Sequence, residues 1–390
     1  MITNVDKQGE RRVSGAVHAS DPAAHTVDTK ALLRTAFGDR PESAIRVSPA
    51  APPVARWLAA VALGARGRYA AATALLAGLH GRRDVDPAVR AHAAVTRAAH
   101  LRQAGGHLAA RRWDGLGLAL ATAPHGGAPY RRAPHGGATP GGATSIEAAV
   151  GEVAPGEAGA GAGGGAVGGA GGAGGAGLDL AAARADALLG LAADAIGLAD
   201  LELADRLLRL AEPAALEHPS WRPGVRWHWV RAELALSRER PEPALELARR
   251  ALAGARAAGA VRHEVKSAIV VAVAEAGSGR EAEKVIADLG ALSERTRQTG
   301  LWTLEWPIQL LLHTLTGDTD PARSTTHRSQ AVQIVSTISL HSDVITRSVL
   351  SRSPWVPDVS ETKLLHLDPY HPAEKRRSAH SSRMECKNKP

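Results

Sequence analysis

The chain has 390 residues and a formal net charge of +8, and it is 44% hydrophobic but only 3% aromatic. Its apolar bulk comes mainly from Ala, Leu and Val, which favours packed helices and excludes a β-sandwich rich in aromatic and β-branched residues. A single cysteine, Cys386, excludes an internal disulfide. No apolar stretch approaches the roughly 18 residues of a membrane-spanning helix, so we expect a cytoplasmic protein without a membrane partner.

The N-terminal segment, residues 1–50, is polar and interrupted by proline and glycine. Such a composition predicts a flexible lead-in to the folded part of the chain. One short helix is predicted within it, at residues 29–37.

Two helix pairs are predicted between residues 52 and 124. Prolines 52 and 53 suit a helix start, because proline lacks the N–H group that stays unpaired at that position. Glycines between apolar helical stretches mark the turn inside each pair. The four helices are predicted at 54–66, 69–79, 87–104 and 107–121.

Residues 125–177 form an insert that is dominated by Gly and Ala. Glycine at this density cannot offset the entropy of ordering its backbone, so we expect a disordered loop. The helical pattern returns after it, and residues 178–320 are predicted to hold the third to sixth pairs. Their helices are predicted at 180–198, 201–211, 225–237, 241–258, 261–276, 280–299 and 301–316.

The last segment, residues 321–390, contains few alanines and ends in a basic stretch. We expect it to be atypical and partly disordered. Residues 329–350 carry many β-branched side chains and fit either a distorted helix or a strand-prone segment. The sixth pair is therefore predicted to be incompletely formed.

An alanine near the turn of each second helix is expected where the two helices of a pair cross. Successive spacings between these alanines are 38, 94, 40, 38 and 40, and removing the 53-residue insert gives 94 − 53 = 41. A period near 40 over six units is typical of a solenoid, in which stacked hairpins bury a continuous core. The six alanines are Ala72, Ala110, Ala204, Ala244, Ala282 and Ala322.

Several pairs resemble the tetratricopeptide family, whose repeats place a glycine turn before an aromatic residue and an alanine. The period near 40 exceeds the period of about 34 of that family and approaches that of HEAT repeats. The resemblance implies an all-α, antiparallel helix-hairpin solenoid of five to six hairpins, whose concave face is lined by the first helices and holds a peptide or protein segment. The matching residues are Gly67-Arg68-Tyr69-Ala70-Ala71-Ala72 in the first pair and Gly277, Ala282 and Ile286 in the fifth.

Tryptophan and arginine are enriched at binding hot spots, and both occur in the first helix of the fourth pair. We therefore predict Arg226, Trp229 and Glu233 as a partner-binding group. Core packing between units is the other interpretation of the tryptophans. The positive net charge favours a protein or peptide partner that is acidic, and such binding would weaken with salt.

The sequence carries no complete catalytic or metal motif, and its formal G-x-G-x-x-G match, Gly159-Ala160-Gly161-Ala162-Gly163-Gly164, lacks the preceding strand and following helix of a dinucleotide site. His263-Glu264 begins like a zinc-protease motif, but the second histidine is missing. His125 and His135 lie ten residues apart without further ligands, whereas a structural zinc site needs four. The main prediction is thus a non-catalytic protein- or peptide-binding scaffold without cofactor or metal.

Two alternatives stay open. A nucleic-acid-associated or transcription-regulatory protein would use the repeats as a sensor domain and the basic tail on phosphates. Against it, no helix-turn-helix unit is evident before residue 50 or after residue 322. An enzyme with a helical fold is the other alternative, and a deep pocket with several converging titratable groups would favour it.

Overall fold

The computed structural model describes residues 27–123, 175–354 and 356–357. These residues contain fourteen α-helices and no β-strand, and none of the helices is both long enough and apolar enough to span a bilayer. The first helix is α1 (Thr29–Phe37) and the last is α14 (Val344–Leu350). Between them lie six consecutive pairs: α2 (Pro53–Ala65) and α3 (Tyr69–Leu76), α4 (Pro87–Gln103) and α5 (His107–Thr122), α6 (Leu180–Gly197) and α7 (Leu201–Leu216), α8 (Trp221–Ser237) and α9 (Pro241–Ala257), α10 (Val261–Gly277) and α11 (Ala282–Thr299), α12 (Trp302–Thr316) and α13 (Pro321–Leu340).

Most predicted helix ends are confirmed to within one or two residues, and the short helix at Thr29–Phe37 is confirmed. Two helices are longer than predicted. α7 continues through Pro213 to Leu216, and α8 begins four residues early at Trp221. Proline is tolerated in the first turn of α8, at Pro223, because its missing N–H leaves no helical hydrogen bond unmade there.

The predicted Gly/Ala-rich insert lies outside the described residues except for its last three. Those three already belong to the fold: Ala176 is buried, and the backbone oxygens of Ala176 and Gly177 each accept a hydrogen bond of 2.6 Å from the Arg222 guanidinium. The prediction of a disordered insert is therefore wrong at Ala176 and Gly177, because the distant Arg222 fixes their backbone.

The turns inside the first five pairs each contain a residue with positive φ. In the first pair, Gly67 has a φ of 71° and the N–H of Arg68 donates to the oxygen of Leu63 at 2.9 Å. This bond closes the end of α2 in a Schellman motif and reverses the chain. The third pair uses the same turn with Ala199 at φ 62°, so this position accepts an L-residue at some cost in strain.

The repeat register is set by the fourth residue after each N-cap of a second helix. This position is buried in every pair. The alanine spacing predicted this position correctly in four pairs. It was wrong in the fifth and sixth pairs, where Ala282 and Ala322 are exposed. Val285 and Ser324 take the buried position there, with 1% and 4% exposure. The complete set is Ala72, Ala110, Ala204, Ala244, Val285 and Ser324.

The sixth pair is complete, contrary to the prediction. The segment 321–340 is one continuous helix, so of the two structures considered for residues 329–350 the strand is excluded up to Leu340. Many of its Ser and Thr hydroxyls donate to the backbone oxygen four residues earlier, as Ser329 does to Thr325 at 2.9 Å. Those bonds satisfy the hydroxyls within the helix, so the polar side chains need no partner outside it.

The C-terminal helices pack against the N-terminal pairs, so the chain closes on itself. The Thr303 hydroxyl donates to the Ala65 oxygen at 2.9 Å, and the Ala70 N–H donates to the His341 oxygen at 2.9 Å. Val335 and Ile338 of α13 share an apolar cluster with Tyr69. The first helices of the pairs therefore face a common interior.

Candidate functional site

A cavity of about 730 Å³ occupies the centre of the molecule. The first helix of all six pairs contributes to its wall, and Phe37 of α1, Val356 and a few residues at the turns and starts of second helices add to it. This arrangement confirms that first helices line the inner face. Because the C-terminal helices pack against the N-terminal pairs, that face forms a central cavity that is partly open to solvent. The lining residues contributed by α8, the helix with the predicted binding group, are Arg222, Arg226, Trp229, Val230, Glu233, Leu236 and Ser237.

The predicted group of Arg226, Trp229 and Glu233 lies together on the cavity face of α8. Each side chain already has a partner in the wall. Arg226 forms an ion pair with Asp186, the Trp229 indole N–H donates to the Ser267 hydroxyl at 2.7 Å, and Glu233 pairs with the Lys266 ammonium at 2.7 Å. The wall is thus cross-linked by polar contacts between neighbouring first helices.

The tryptophans of α8 divide between core and cavity. Trp227 is buried at 8% exposure, and its indole N–H donates to the Leu208 oxygen at 3.1 Å, which joins α8 to α7. Trp229 faces the cavity and stacks on His263, with ring centroids 5.2 Å apart and an interplanar angle of 18°. The interpretation of the tryptophans as core residues is therefore confirmed for Trp227, whereas Trp229 forms part of the cavity wall.

A buried carboxylate, Asp186, organises one side of the cavity. It forms ion pairs with Arg222 and Arg226, and the His92 Nδ1 lies 3.6 Å from it. Burial by itself would raise the pKa of Asp186, but the charges of the two arginines and His92 outweigh it and hold the pKa at about 2. Asp186 is therefore ionised at neutral pH and neutralised by its arginines.

A second buried network lies beside the cavity, around Arg102. Its Nε donates to Asp194 at 2.7 Å, and its guanidinium also pairs with Asp114. Both carboxylates are fully buried. Burial raises the pKa of Asp114 well above its usual range, since Arg102 offsets the loss of solvation only in part. Gly190 permits the close approach of helices here, because a Cβ at that position would lie 2.3 Å from Asp114 Oδ2.

Three cavity histidines are buried and neutral at physiological pH. Burial lowers the pKa of His92 to about 4 and that of His100 to about 3, and nearby arginines add to both shifts. The pKa of His263 is lowered well below its ordinary value for the same reasons. One ring nitrogen of each lacks a hydrogen-bond partner within the described part of the chain: His92 Nε2, His100 Nδ1 and His263 Nδ1.

Arg262 is a cavity residue that the sequence interpretation missed. It lies in the first turn of α10 and lines the cavity together with Lys266, one turn further along the helix. Among the described residues, no carboxylate lies within ion-pairing distance of its guanidinium, and no hydrogen bond engages it. A signal was present in the sequence, because positions 262, 266, 269, 270 and 273 share one helical face.

No protein-family model matches the chain, and no curated protein matches its sequence. The evidence for an architecture of consecutively paired helices therefore comes from the structure and not from a relative. Within the described ranges, no group of three or more His, Cys, Asp or Glu side chains is placed to hold a metal ion. His125 and His135 lie outside those ranges.

Proposed function

We propose that the protein is a non-catalytic helical-repeat scaffold of tetratricopeptide-like type that holds a short protein or peptide segment in its central cavity. The observation that supports this proposal is the central cavity of about 730 Å³, which is partly open to solvent and to which the first helix of every pair contributes. Pockets of roughly 300–1,000 Å³ hold ligands the size of a few residues. The predicted binding group of Arg226, Trp229 and Glu233 is part of this wall.

The size of the cavity favours a short segment over a folded partner. Stable interfaces between folded proteins bury on the order of 1,600 Å² on broad surfaces, whereas the candidate residues of α8 lie inside the ring of helices. A partner would reach them with an extended tail or loop of a few residues.

An enzyme is favoured by one feature, since the cavity does gather several titratable groups. The pKa values of these groups do not favour acid–base catalysis at neutral pH. A general acid or base works best with a pKa near the working pH, but the pKa of His92 is about 4, that of His100 about 3 and that of Asp186 about 2. These values suit groups that are held neutral or ion-paired as parts of a wall.

A direct test uses a pool of acetylated, amidated peptides of three to six residues. The protein is mixed with the pool, separated by gel filtration and analysed for retained peptides by mass spectrometry. A cavity-filling variant, Ala193→Trp, should retain none, because Ala193 lines the cavity. The matched control is Ala257→Trp on the exposed face of α9, which should retain the same peptides as the unchanged protein.

Circular dichroism of both variants checks that the helices are intact. Equal retention by the two variants would show that peptides bind elsewhere, and no retention by the unchanged protein would end the proposal. A gel-shift titration of the full chain with DNA and RNA addresses the nucleic-acid alternative. Binding to either with a steep salt dependence would favour that alternative over the peptide scaffold.

A further inference from the structure

Five cations line the central cavity, and four of them have a carboxylate partner in the described structure. Arg102 pairs with Asp114 and Asp194, Arg222 and Arg226 share Asp186, and Lys266 pairs with Glu233. Arg262 is the fifth. The residues that the structure describes include no ion-pair partner for its guanidinium, although burial is costly for an unpaired charge.

The surroundings of Arg262 increase this cost. Burial lowers its pKa to about 10, the Tyr69 hydroxyl partly offsets the shift, and the positive charges of Arg226 and Arg222 lower the pKa further. The guanidinium is nevertheless protonated at neutral pH. A negative charge entering the cavity would therefore meet a partly buried cation that has no ion-pair partner among the described residues.

The next residue supplies a second polar contact. His263 lines the same cavity and is 4% exposed, and its Nδ1 has no hydrogen-bond partner within the described ranges. Its ring is fixed between Trp229, stacked at 5.2 Å, and Trp221, edge-on at 4.8 Å. A neutral imidazole held in this way can donate one hydrogen bond to an anionic oxygen beside Arg262.

The rest of the α10 cavity face is apolar. Beyond Arg262, His263 and Lys266, the lining positions of α10 are Ile269, Val270 and Val273. The helix rises about 1.5 Å per residue, so the α10 face changes from charged to apolar over about 16 Å.

We propose that the cavity binds a ligand with one anionic group on an apolar body, with Arg262 as the anchor of the anion and the Ile269–Val273 face against the apolar part. This inference rests on the proposed function, because it takes the same cavity as the binding site and names the chemistry of its occupant. Two sources share that chemistry: a short apolar peptide with one acidic side chain, and a free organic acid with a hydrocarbon chain.

The test compares charged ligands with neutral ones of equal size. One arm titrates the protein with acetylated, amidated tetrapeptides that contain three Leu and either one Asp or one Asn. The other arm uses decanoate and decanol. Binding is followed by the fluorescence of the cavity tryptophans and by isothermal calorimetry. Variants are Arg262→Gln, Arg262→Lys and, as the control with equal charge change, Arg209→Gln, whose side chain is 59% exposed.

The expected result is tighter binding of the acidic ligand in at least one arm, by roughly tenfold to 100-fold, the range for hydrogen bonds to a charged group. Arg262→Gln should remove that preference, Arg262→Lys should keep part of it, and Arg209→Gln should leave it unchanged. The arm that shows the preference identifies the source of the anion.

Two other outcomes separate this inference from the function on which it rests. If the acidic and neutral ligands bind equally and Arg262→Gln changes neither, the anionic anchor is refuted while the cavity stays a binding site. If no ligand of either arm binds and the peptide pool also leaves nothing on the unchanged protein, both proposals fail. Circular dichroism and the melting temperature of each variant exclude unfolding as the cause of a loss.

Discussion

Arg97 of α4 and Asp343 at the N-cap of α14 form an ion pair, with Arg97 Nη2 and Asp343 Oδ1 3.0 Å apart, although 246 residues separate them in the chain. The guanidinium also donates to the hydroxyls of Thr73 and Thr346, at 2.8 and 3.1 Å. Burial opposes ionisation of Asp343, but Arg97 and Thr346 hold its pKa at about 2. This contact fastens the last helix to the second pair and so closes the ring around the cavity.

Asp343→Asn should therefore lower the free energy of unfolding by about 2–4 kcal/mol, because it leaves a nearly buried arginine without its counter-charge. Urea unfolding followed by circular dichroism measures the loss. The matched control is Glu246→Gln, which breaks the exposed pair with Arg250 and should cost less than about 0.5 kcal/mol. Equal effects of the two changes would contradict the role of Arg97–Asp343 as the closing contact.

Acidification should destabilise the fold well before the carboxylates titrate. His92, His100 and His263 have lowered pKa values in the folded protein, so below pH of about 6.5 the unfolded chain binds protons that the folded one does not. Stability is therefore fully present above that pH and falls towards pH 4, by up to about 1.4 kcal/mol per pH unit for each histidine. Urea unfolding between pH 7.5 and 5 measures how steeply the free energy of unfolding falls with pH. His100→Gln should reduce that slope by the contribution of one histidine. An unchanged slope in His100→Gln would show that this imidazole titrates in the folded state.

The buried fourth position of the second helices predicts where a larger side chain is tolerated. Ala204→Leu should destabilise the protein by about 1–3 kcal/mol, since the site is fully buried against α6 and cannot accept added volume. Ala282→Leu, at the exposed position that the sequence pattern had placed in the core, should change stability by less than about 0.5 kcal/mol. The melting temperatures of both variants test which of the two positions is buried. A larger loss of stability in Ala282→Leu than in Ala204→Leu would favour the alanine spacing that the sequence indicated.

Two glycines of α5 should respond to alanine with opposite signs. Gly115 has open space where a Cβ would lie, so Gly115→Ala should stabilise the helix by about 0.5–1 kcal/mol. At Gly117 the added Cβ would lie 2.6 Å from Val95 Cγ2 of α4. Gly117→Ala should therefore destabilise the protein by about 1–2 kcal/mol, since α4 must move away to relieve the overlap. Stabilisation by both changes, measured by urea unfolding, would mean that α4 and α5 are packed less closely than described.

Much of the secondary structure could be predicted because its determinants are local. Asp86 caps α4 through hydrogen bonds to the N–H groups of Ala88 and Val89, and Pro87 follows at the first helical position, as the sequence indicated. The Gly67 turn is equally local, because only a residue tolerant of positive φ permits the chain reversal there. Helix ends and turns therefore followed from neighbours within about five residues.

The candidate site could be predicted only in part. Arg226, Trp229 and Glu233 were selected by residue type, and the structure does place them on one cavity wall. Arg262 was missed because its distinguishing property is a missing partner, and a missing partner becomes visible only when every neighbouring helix is in position. The same reason applies to Asp186, whose two arginines lie 36 and 40 residues further along the chain.

By itself the sequence determined that the chain forms paired helices with a period near 40, since hydrophobic periodicity, caps and glycine turns act over a few residues. Tertiary structure alone decided that the sixth pair is complete and that the ring closes through Arg97 and Asp343. It also decided that the first helices line a partly open cavity in which Arg262 has no ion-pair partner among the described residues. Those features depend on contacts between residues far apart in the chain, such as Arg97 and Asp343 at a separation of 246 positions, and no local pattern records such contacts.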